Sequence, residues 1–227
     1  MSRNLLTAFW ACSALHLLSL VTGLTTVEWV SKALLMPLLA AWLLSRSGPR
    51  LVAAGLLASA AGDVALEIDG LFVAGMVCFA VAHVCYVTFF LRGGGRFLRG
   101  GGGGGRRWAV LIGYGVLWLV LVAALWPRLG DLRIPVGVYS LILTATAVTS
   151  AWHGRRTGAG GALFLLSDGL IALGLAGIDL PLHGPLVMTT YIAAQYLLAS
   201  GALRRQELRK EGRPTPPRAV PGGTAAG

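Results

Sequence analysis

The chain has 227 residues, of which 56% are apolar and 12% carry a charged side chain, and its mean hydropathy is +0.73. Soluble globular proteins are about 25% charged, so this composition excludes a soluble globular domain, and its richness in Leu, Val and Ala excludes a disordered chain. The net charge of +10 would suggest nucleic-acid binding in a soluble protein. No such partner is expected here, because the basic residues follow a membrane pattern. Cys12, Cys78 and Cys85 lie within apolar stretches, which excludes a disulfide scaffold.

Apolar stretches of about 18 to 21 residues recur along the chain, and each is long enough to cross a hydrocarbon core about 30 Å thick. Backbone groups inside a bilayer must pair within the segment, so each stretch is predicted to be a helix. The sequence therefore predicts an all-α integral membrane protein with eight transmembrane helices. Their predicted positions are near Leu5–Thr22, Val27–Leu44, Leu51–Ile68, Leu71–Leu91, Arg107–Trp126, Ile134–Trp152, Gly160–Ile178 and Pro185–Leu203.

The distribution of basic residues predicts the orientation. Sixteen of the nineteen Lys and Arg residues fall on alternate connections and on the two terminal segments. Arg128 and Arg133 lie on the opposite side, and Lys32 lies inside the second predicted span. The positive-inside rule then places both termini in the cytoplasm, and we expect the bacterial cytoplasmic membrane. The first helix is predicted to be retained as a signal anchor, because no small-residue cleavage site follows it.

Two segments are predicted to be non-helical: one connection within the eight-helix domain, which covers residues 1–206, and the tail that follows this domain. The connection 92–107 is rich in glycine and is predicted to be a flexible cytoplasmic linker. A phosphate-binding loop would need a preceding strand and a following Lys-Ser/Thr. The basic segment 207–227, rich in Pro and Gly, is predicted to be a disordered tail.

Polar side chains occur inside six of the predicted spans. An ionisable group in a bilayer costs several kcal/mol and indicates a functional site. At about 1.5 Å per residue, most of these side chains lie about 8 to 15 Å below the external helix ends. We therefore predict a polar cavity among helices 2, 3, 4, 6, 7 and 8. Its candidate residues are Lys32, Ser59, Asp63, His83, Tyr86, Tyr139, Ser167, Asp168, Tyr191 and Gln195.

For some of these intramembrane polar residues a purely structural role is a good explanation, and for others it is not. Asp63 and Asp168 have one-carbon side chains that do not reach the interface, which favours a catalytic role for the pair. Glu67, next to a helix end, is expected to extend to the interface. Lys32 fits that role and a functional one equally well, and His83 fits an interhelical hydrogen bond or a catalytic role.

Helices 3 and 7, and helices 4 and 8, share a weak similarity. Asp63 and Asp168 end similar apolar runs, while His83-x-x-Tyr86 and Gln195-Tyr196 mark the second pair. Four spans separate the members of each pair, which suggests a parallel four-plus-four repeat.

Several short motifs together resemble the YhhN family of integral membrane proteins, the lysoplasmalogenases. The resemblance covers roughly residues 31–203. The matching segments are Ser31-Lys32 with Met36-Pro37-Leu38-Leu39, Gly62-Asp63-Val64, Phe79 to Tyr86 around His83, Phe164 to Asp168, and Tyr191 to Tyr196 around Gln195. The chain departs from the family pattern at Ala33, where a proline usually follows the lysine, and at Gly169, where a serine is common.

The resemblance implies hydrolysis of the vinyl ether bond of lysoplasmalogen to a fatty aldehyde and a glycerophospho-base. Protonation of the carbon β to the ether oxygen and attack by water require one protonated and one ionised carboxyl group. The depth of Lys32 favours Asp63 as the ionised group and Asp168 as the acid, and the reverse assignment stays open. Tyr86, Tyr191 and Gln195 would orient water or the glycerol hydroxyl, and His83 would relay protons.

The expected partners are a lipid substrate and the bilayer. No metal or other cofactor is predicted, because the histidines are scattered along the chain and His16, which has no polar neighbours in the sequence, is predicted to be structural. Two other interpretations stay open. Intramembrane Asp, Lys and His residues also form the proton relays of transporters and lipid flippases, and a non-catalytic lipid-binding protein would share the same composition.

Overall fold

The computed structural model describes residues 1–93, 104–178 and 180–211, which form eight α-helices and, over that part of the chain, no strand. Two short 3-10 turns, Trp126–Arg128 and Gly130–Leu132, connect the fifth and sixth helices. The helices are α1 (Ser2–Thr22), α2 (Thr25–Ser45), α3 (Arg50–Leu66), α4 (Phe72–Gly93), α5 (Gly104–Leu125), α6 (Arg133–Ala151), α7 (Arg155–Leu175) and α8 (His183–Glu211).

Seven of these helices are long and apolar enough to cross a membrane. The remaining helix, α3, has 17 residues. At 1.5 Å per residue it is about 26 Å long, slightly less than the thickness of a hydrocarbon core. The prediction of an all-α integral membrane protein is confirmed. The sidedness of the termini and the internal repeat stay predictions.

Helix α8 occupies the centre of the bundle, where it packs against α7, α1, α2 and α3. In its apolar stretch 67% of the residues are buried. Small residues let the helices around it approach closely, as is usual in membranes. A Cβ atom at Gly62 would lie 2.6 Å from the ring of Phe79, and one at Gly55 would lie 2.5 Å from the ring of Tyr86. The backbone of α3 therefore lies directly against aromatic side chains of α4.

Helix α5 lies at the periphery. It packs against α6 and the adjoining 3-10 turn, and only 6% of its apolar stretch is buried. A hydrogen bond of 2.9 Å from Trp118 Nε1 to Ser140 Oγ joins α5 to α6.

Both segments that the sequence predicts to be non-helical are partly helical. Residues 207–211 continue α8 as helix, so the prediction of disorder is wrong there; residues 212–227 lie outside the described residues. The helical extension is held by the α2–α3 turn, where Arg46 Nη2 contacts Glu207 Oε1 at 3.2 Å and Gln206 Nε2 donates to the carbonyl of Ser47 at 2.8 Å. Helix α4 reaches Gly93 and α5 begins at Gly104, so the ends of the predicted linker 92–107 are helical, and residues 94–103 of the linker are not described.

Candidate active site

A cavity lies near the outer end of the bundle, meaning the end where α2 begins and α3 ends. Its empty volume is about 670 Å³, including its mouth, and we call it the outer cavity. Six helices supply its walls, as the sequence predicts. The polar residues that line it are Lys32, Asp63, Tyr139, Ser167, Asp168 and Tyr191, and the remaining lining is apolar. Six of the ten candidate residues thus meet at one cavity.

Asp63 lies in the last turn of α3 and is 3% exposed. Its Oδ2 atom accepts a hydrogen bond of 2.8 Å from the hydroxyl of Tyr191 on α8. Because Gly62 has no side chain, α3 lies close to α4 at this level. The carboxyl group is thereby fixed in a mostly apolar wall, with one oxygen held by a phenol.

Asp168 lies in the middle of α7 and is half-buried. Its Oδ2 atom accepts a hydrogen bond from the hydroxyl of Tyr139 on α6. That hydroxyl also lies 3.2 Å from His83 Nε2 on α4. The carboxyl group, the phenol and the imidazole therefore form a hydrogen-bonded chain that leads away from the cavity into the protein.

The rings behind the two aspartates form one aromatic cluster centred on Phe164 of α7. The Phe164 ring meets His83 at 4.6 Å and Tyr191 at 5.5 Å between centroids, both edge to face. Phe79 of α4 contacts Phe164 and Tyr191 in the same geometry. His83, whose Nδ1 atom has no hydrogen-bond partner among the described residues, is fully buried in this cluster.

Three further candidate residues, Ser59, Tyr86 and Gln195, are buried deeper in the bundle than the cavity. The Tyr86 hydroxyl donates to Gln195 Oε1 at 2.8 Å, and Gln195 Nε2 donates to Ser59 Oγ at 3.0 Å. None of the three lines the outer cavity. Their hydrogen bonds join α3, α4 and α8, and the role predicted for Tyr86 and Gln195 in orienting water or the glycerol hydroxyl stays a prediction.

Ser167 is the remaining polar residue of the cavity wall. Its hydroxyl donates to the carbonyl of Val187 at 3.0 Å, which links α7 to the start of α8. His16 lies elsewhere, fully buried between α1 and α2, with Nδ1 2.9 Å from Ser31 Oγ. The structural role predicted for His16 agrees with this position.

Lys32 forms an ion pair with Glu67, and the two side chains are 16% and 22% exposed. This corrects two expectations, because Lys32 is paired with Glu67 rather than Asp63 and Glu67 does not simply extend to the interface. Glu67 follows Asp63 by four residues on the same helix face, and its longer side chain reaches the ammonium group. That spacing is visible in the sequence and was the available signal for the pair.

Among the described residues, no group of three or more His, Cys, Asp or Glu side chains is arranged to hold a metal ion. The chemistry available at the cavity is that of two separate carboxyl groups, each bonded to a phenol, with an ammonium group in the same lining. Such a set can hold one carboxyl group protonated and the other ionised in one apolar enclosure.

The model of the YhhN family matches residues 27–202, which include every residue that lines the outer cavity. The chain belongs to the YhhN family. Human lysoplasmalogenase TMEM86B is 36% identical over 169 residues, covering 72% of this chain and 69% of the relative. Bovine lysoplasmalogenase TMEM86A is 32% identical over 205 residues, covering 79% and 81%. No solved structure matches the chain.

Proposed function

We propose that this YhhN-family protein is a membrane enzyme that hydrolyses the vinyl ether bond of lysoplasmalogen. The products are a fatty aldehyde and a glycerophosphoethanolamine or glycerophosphocholine. The observation that carries this proposal is that two carboxyl groups, Asp63 and Asp168, line one mostly apolar cavity and are each held by a tyrosine. The names of its relatives support the same activity.

Asp168 is assigned as the general acid. A protonated carboxyl group still accepts a hydrogen bond at its other oxygen, so the contact with Tyr139 is compatible with this role. The acid gives its proton to the alkenyl carbon β to the ether oxygen, and the double-bond electrons form the new C–H bond. The resulting oxocarbenium ion carries its positive charge at the carbon attached to oxygen.

Asp63 is assigned as the base. Its carboxylate stabilises the cation and takes a proton from the water that attacks the charged carbon, which yields a hemiacetal. Collapse of the hemiacetal releases the aldehyde and the free glycerol hydroxyl. Because Lys32 is paired with Glu67, the hydrogen bond from Tyr191 is the direct support for the ionised form of Asp63.

Hydrolysis is tested with the purified protein in nanodiscs supplied with 1-alkenyl lysophosphatidylethanolamine, with aldehyde release as the readout. Asp63→Asn and Asp168→Asn are each expected to lower the rate by about 100-fold or more, the usual contribution of a general acid or base. Asp131→Asn is the matched control, since Asp131 is exposed in the second 3-10 turn.

Full activity in the Asp63→Asn/Asp168→Asn double variant would contradict the mechanism. Transfer of the lipid between leaflets with no aldehyde from the wild type would instead favour the transporter or flippase interpretation. Tight lipid binding with neither transfer nor product would favour a lipid-binding protein.

A further inference from the structure

A second and larger cavity lies between α5, α6 and α7, and its empty volume is about 1350 Å³, including the space at its open side. Its lining is almost entirely apolar and includes Leu117, Leu121, Leu143 and Leu165. We call it the inner cavity, because it extends along α7 as far as Ala162, towards the end opposite the outer cavity's mouth.

The two cavities share a wall at the proposed acid. Tyr139 and Asp168 line both of them, together with Val136 and Ala172. The inner cavity has few other polar groups. A molecule that passed from one cavity to the other would therefore cross from the cavity that holds Lys32 and Asp63 to one with an almost entirely apolar lining, directly beside the Asp168 carboxyl group.

The space exists because α5 stands apart from the bundle. Protein interiors are close-packed, and voids larger than a water molecule are few. Only 6% of the apolar stretch of α5 is buried. On α7, Gly169 lines the cavity, and no atom lies within 4 Å of a Cβ built at this residue. An apolar space of this size beside lipid is suited to a hydrocarbon chain.

We propose that the inner cavity binds the hydrocarbon chain of the substrate while its glycerophospho head group lies in the outer cavity. This inference rests on the proposed hydrolysis. The order of groups along the substrate matches the order of the cavities: polar head group, reacting vinyl ether and apolar chain correspond to outer cavity, Asp168 and inner cavity. A chain bound in this way places the vinyl ether carbons at the acid.

The same arrangement predicts how specificity arises. A lysolipid chain that enters the cavity leaves one apolar environment, the bilayer, for another. The transfer itself therefore contributes little to the free energy of binding. Discrimination between chains then comes from fit, and a group added to the wall of the cavity excludes long chains more strongly than short ones. Ala162 is the suitable position, since it lies six residues before Asp168, about 9 Å along the helix.

The test compares hexadecenyl and octenyl lysoplasmalogens as substrates of the full chain in nanodiscs. Ala162→Phe is expected to lower kcat/KM for the hexadecenyl lipid by about 10-fold or more relative to the octenyl lipid, as filling an apolar pocket does. Ala159→Phe is the matched control, because Ala159 is an exposed residue of the same helix that lines neither cavity. The same chain-length ratio in both variants would overturn the inference.

A measurement on the wild type covers the case in which Ala162→Phe does not fold. A lysoplasmalogen with a diazirine at the methyl end of its chain is photolysed with the protein, and labelled peptides are identified by mass spectrometry. Labelling on α5 or α7 that an unlabelled competitor suppresses supports the inference. Competed labelling confined to α1 and α2 would overturn it. If the wild type releases aldehyde, the proposed hydrolysis is supported whichever helices are labelled. A failure of the chain-binding inference is therefore distinguishable from a failure of the proposed hydrolysis.

Discussion

Helices α8 and α5 each contain an apolar stretch long enough to cross a membrane, but they have opposite environments. In α8, 67% of the apolar stretch is buried, and in α5 only 6%. Helix α8 supplies Tyr191 and Gln195 to the hydrogen-bonded core, whereas α5 supplies apolar walls to the inner cavity. The bundle therefore combines a close-packed side that fixes polar side chains with an open side, where we propose that a lipid chain binds.

The largest expected effect comes from adding bulk to the close-packed side. Gly62→Leu places a Cβ atom 2.6 Å from the Phe79 ring and forces α3 away from α4. We expect a loss of about 3 kcal/mol or more in the free energy of unfolding, the upper range for overpacked cores. The midpoint of unfolding in detergent micelles measures this loss.

Gly113→Leu on α5 is the matched control, since no atom lies within 4 Å of a Cβ built there. We expect the midpoint to stay the same or rise slightly, because leucine is a better helix former than glycine. If both variants lost the same stability, the contrast between the two sides of the bundle would be wrong.

The Lys32–Glu67 ion pair gives the next effect. Glu67→Gln leaves the Lys32 ammonium group without its partner in a site where both side chains are less than a quarter exposed. We expect a destabilisation of about 1 to 3 kcal/mol, measured by thermal unfolding.

Glu207→Gln provides the comparison, because the Arg46–Glu207 pair is 48% and 42% exposed. Exposed pairs contribute about 0 to 1 kcal/mol. A larger loss from Glu207→Gln than from Glu67→Gln would show that burial does not determine the strength of these pairs.

Tyr139 stands at the boundary between the two sides. Tyr139→Phe keeps the ring but removes the hydroxyl that donates to Asp168, so the carboxyl group is less well oriented. We expect kcat to fall by about 10-fold, equivalent to one hydrogen bond of about 1.4 kcal/mol, with KM unchanged.

Tyr196→Phe is the control, since the Tyr196 ring packs against Phe9 and Trp10 away from the outer cavity. A rise in KM with constant kcat in Tyr139→Phe would assign Tyr139 to substrate binding instead.

The smallest effect is expected on the open side. Trp118→Phe removes the hydrogen bond from α5 to Ser140, and interhelical hydrogen bonds in membranes contribute about 0.6 kcal/mol on average. Trp108→Phe, at a 64% exposed position, is the control in the same unfolding measurement. A loss of several kcal/mol from Trp118→Phe would mean that α5 is held far more firmly than its packing indicates.

The helices and the composition of the outer cavity were predictable because both follow from one-dimensional rules. Hydropathy places the helices, and counting residues from their ends places Asp63, Tyr139, Asp168 and Tyr191 in one layer about 8 to 15 Å below the external helix ends. The partner of Lys32 was not predictable from depth alone, since Asp63 and Glu67 share a helix face and differ in reach.

Other features depend on tertiary contacts that leave little trace in the sequence. The sequence at the end of α8 is typical of a disordered polar tail. In the structure it is helical, because Glu207 and Gln206 contact the α2–α3 turn. The inner cavity was not predicted, because an apolar helix face that includes Leu117 and Leu121 gives the same sequence pattern whether it faces lipid or a cavity.

Phe164 gives the site a property that neither aspartate has alone. Its ring touches Tyr191, which holds Asp63, and His83, which adjoins the phenol that holds Asp168. The side chains that support the two carboxyl groups therefore share one neighbour, and the relative position of the two aspartates depends on how this single ring is packed.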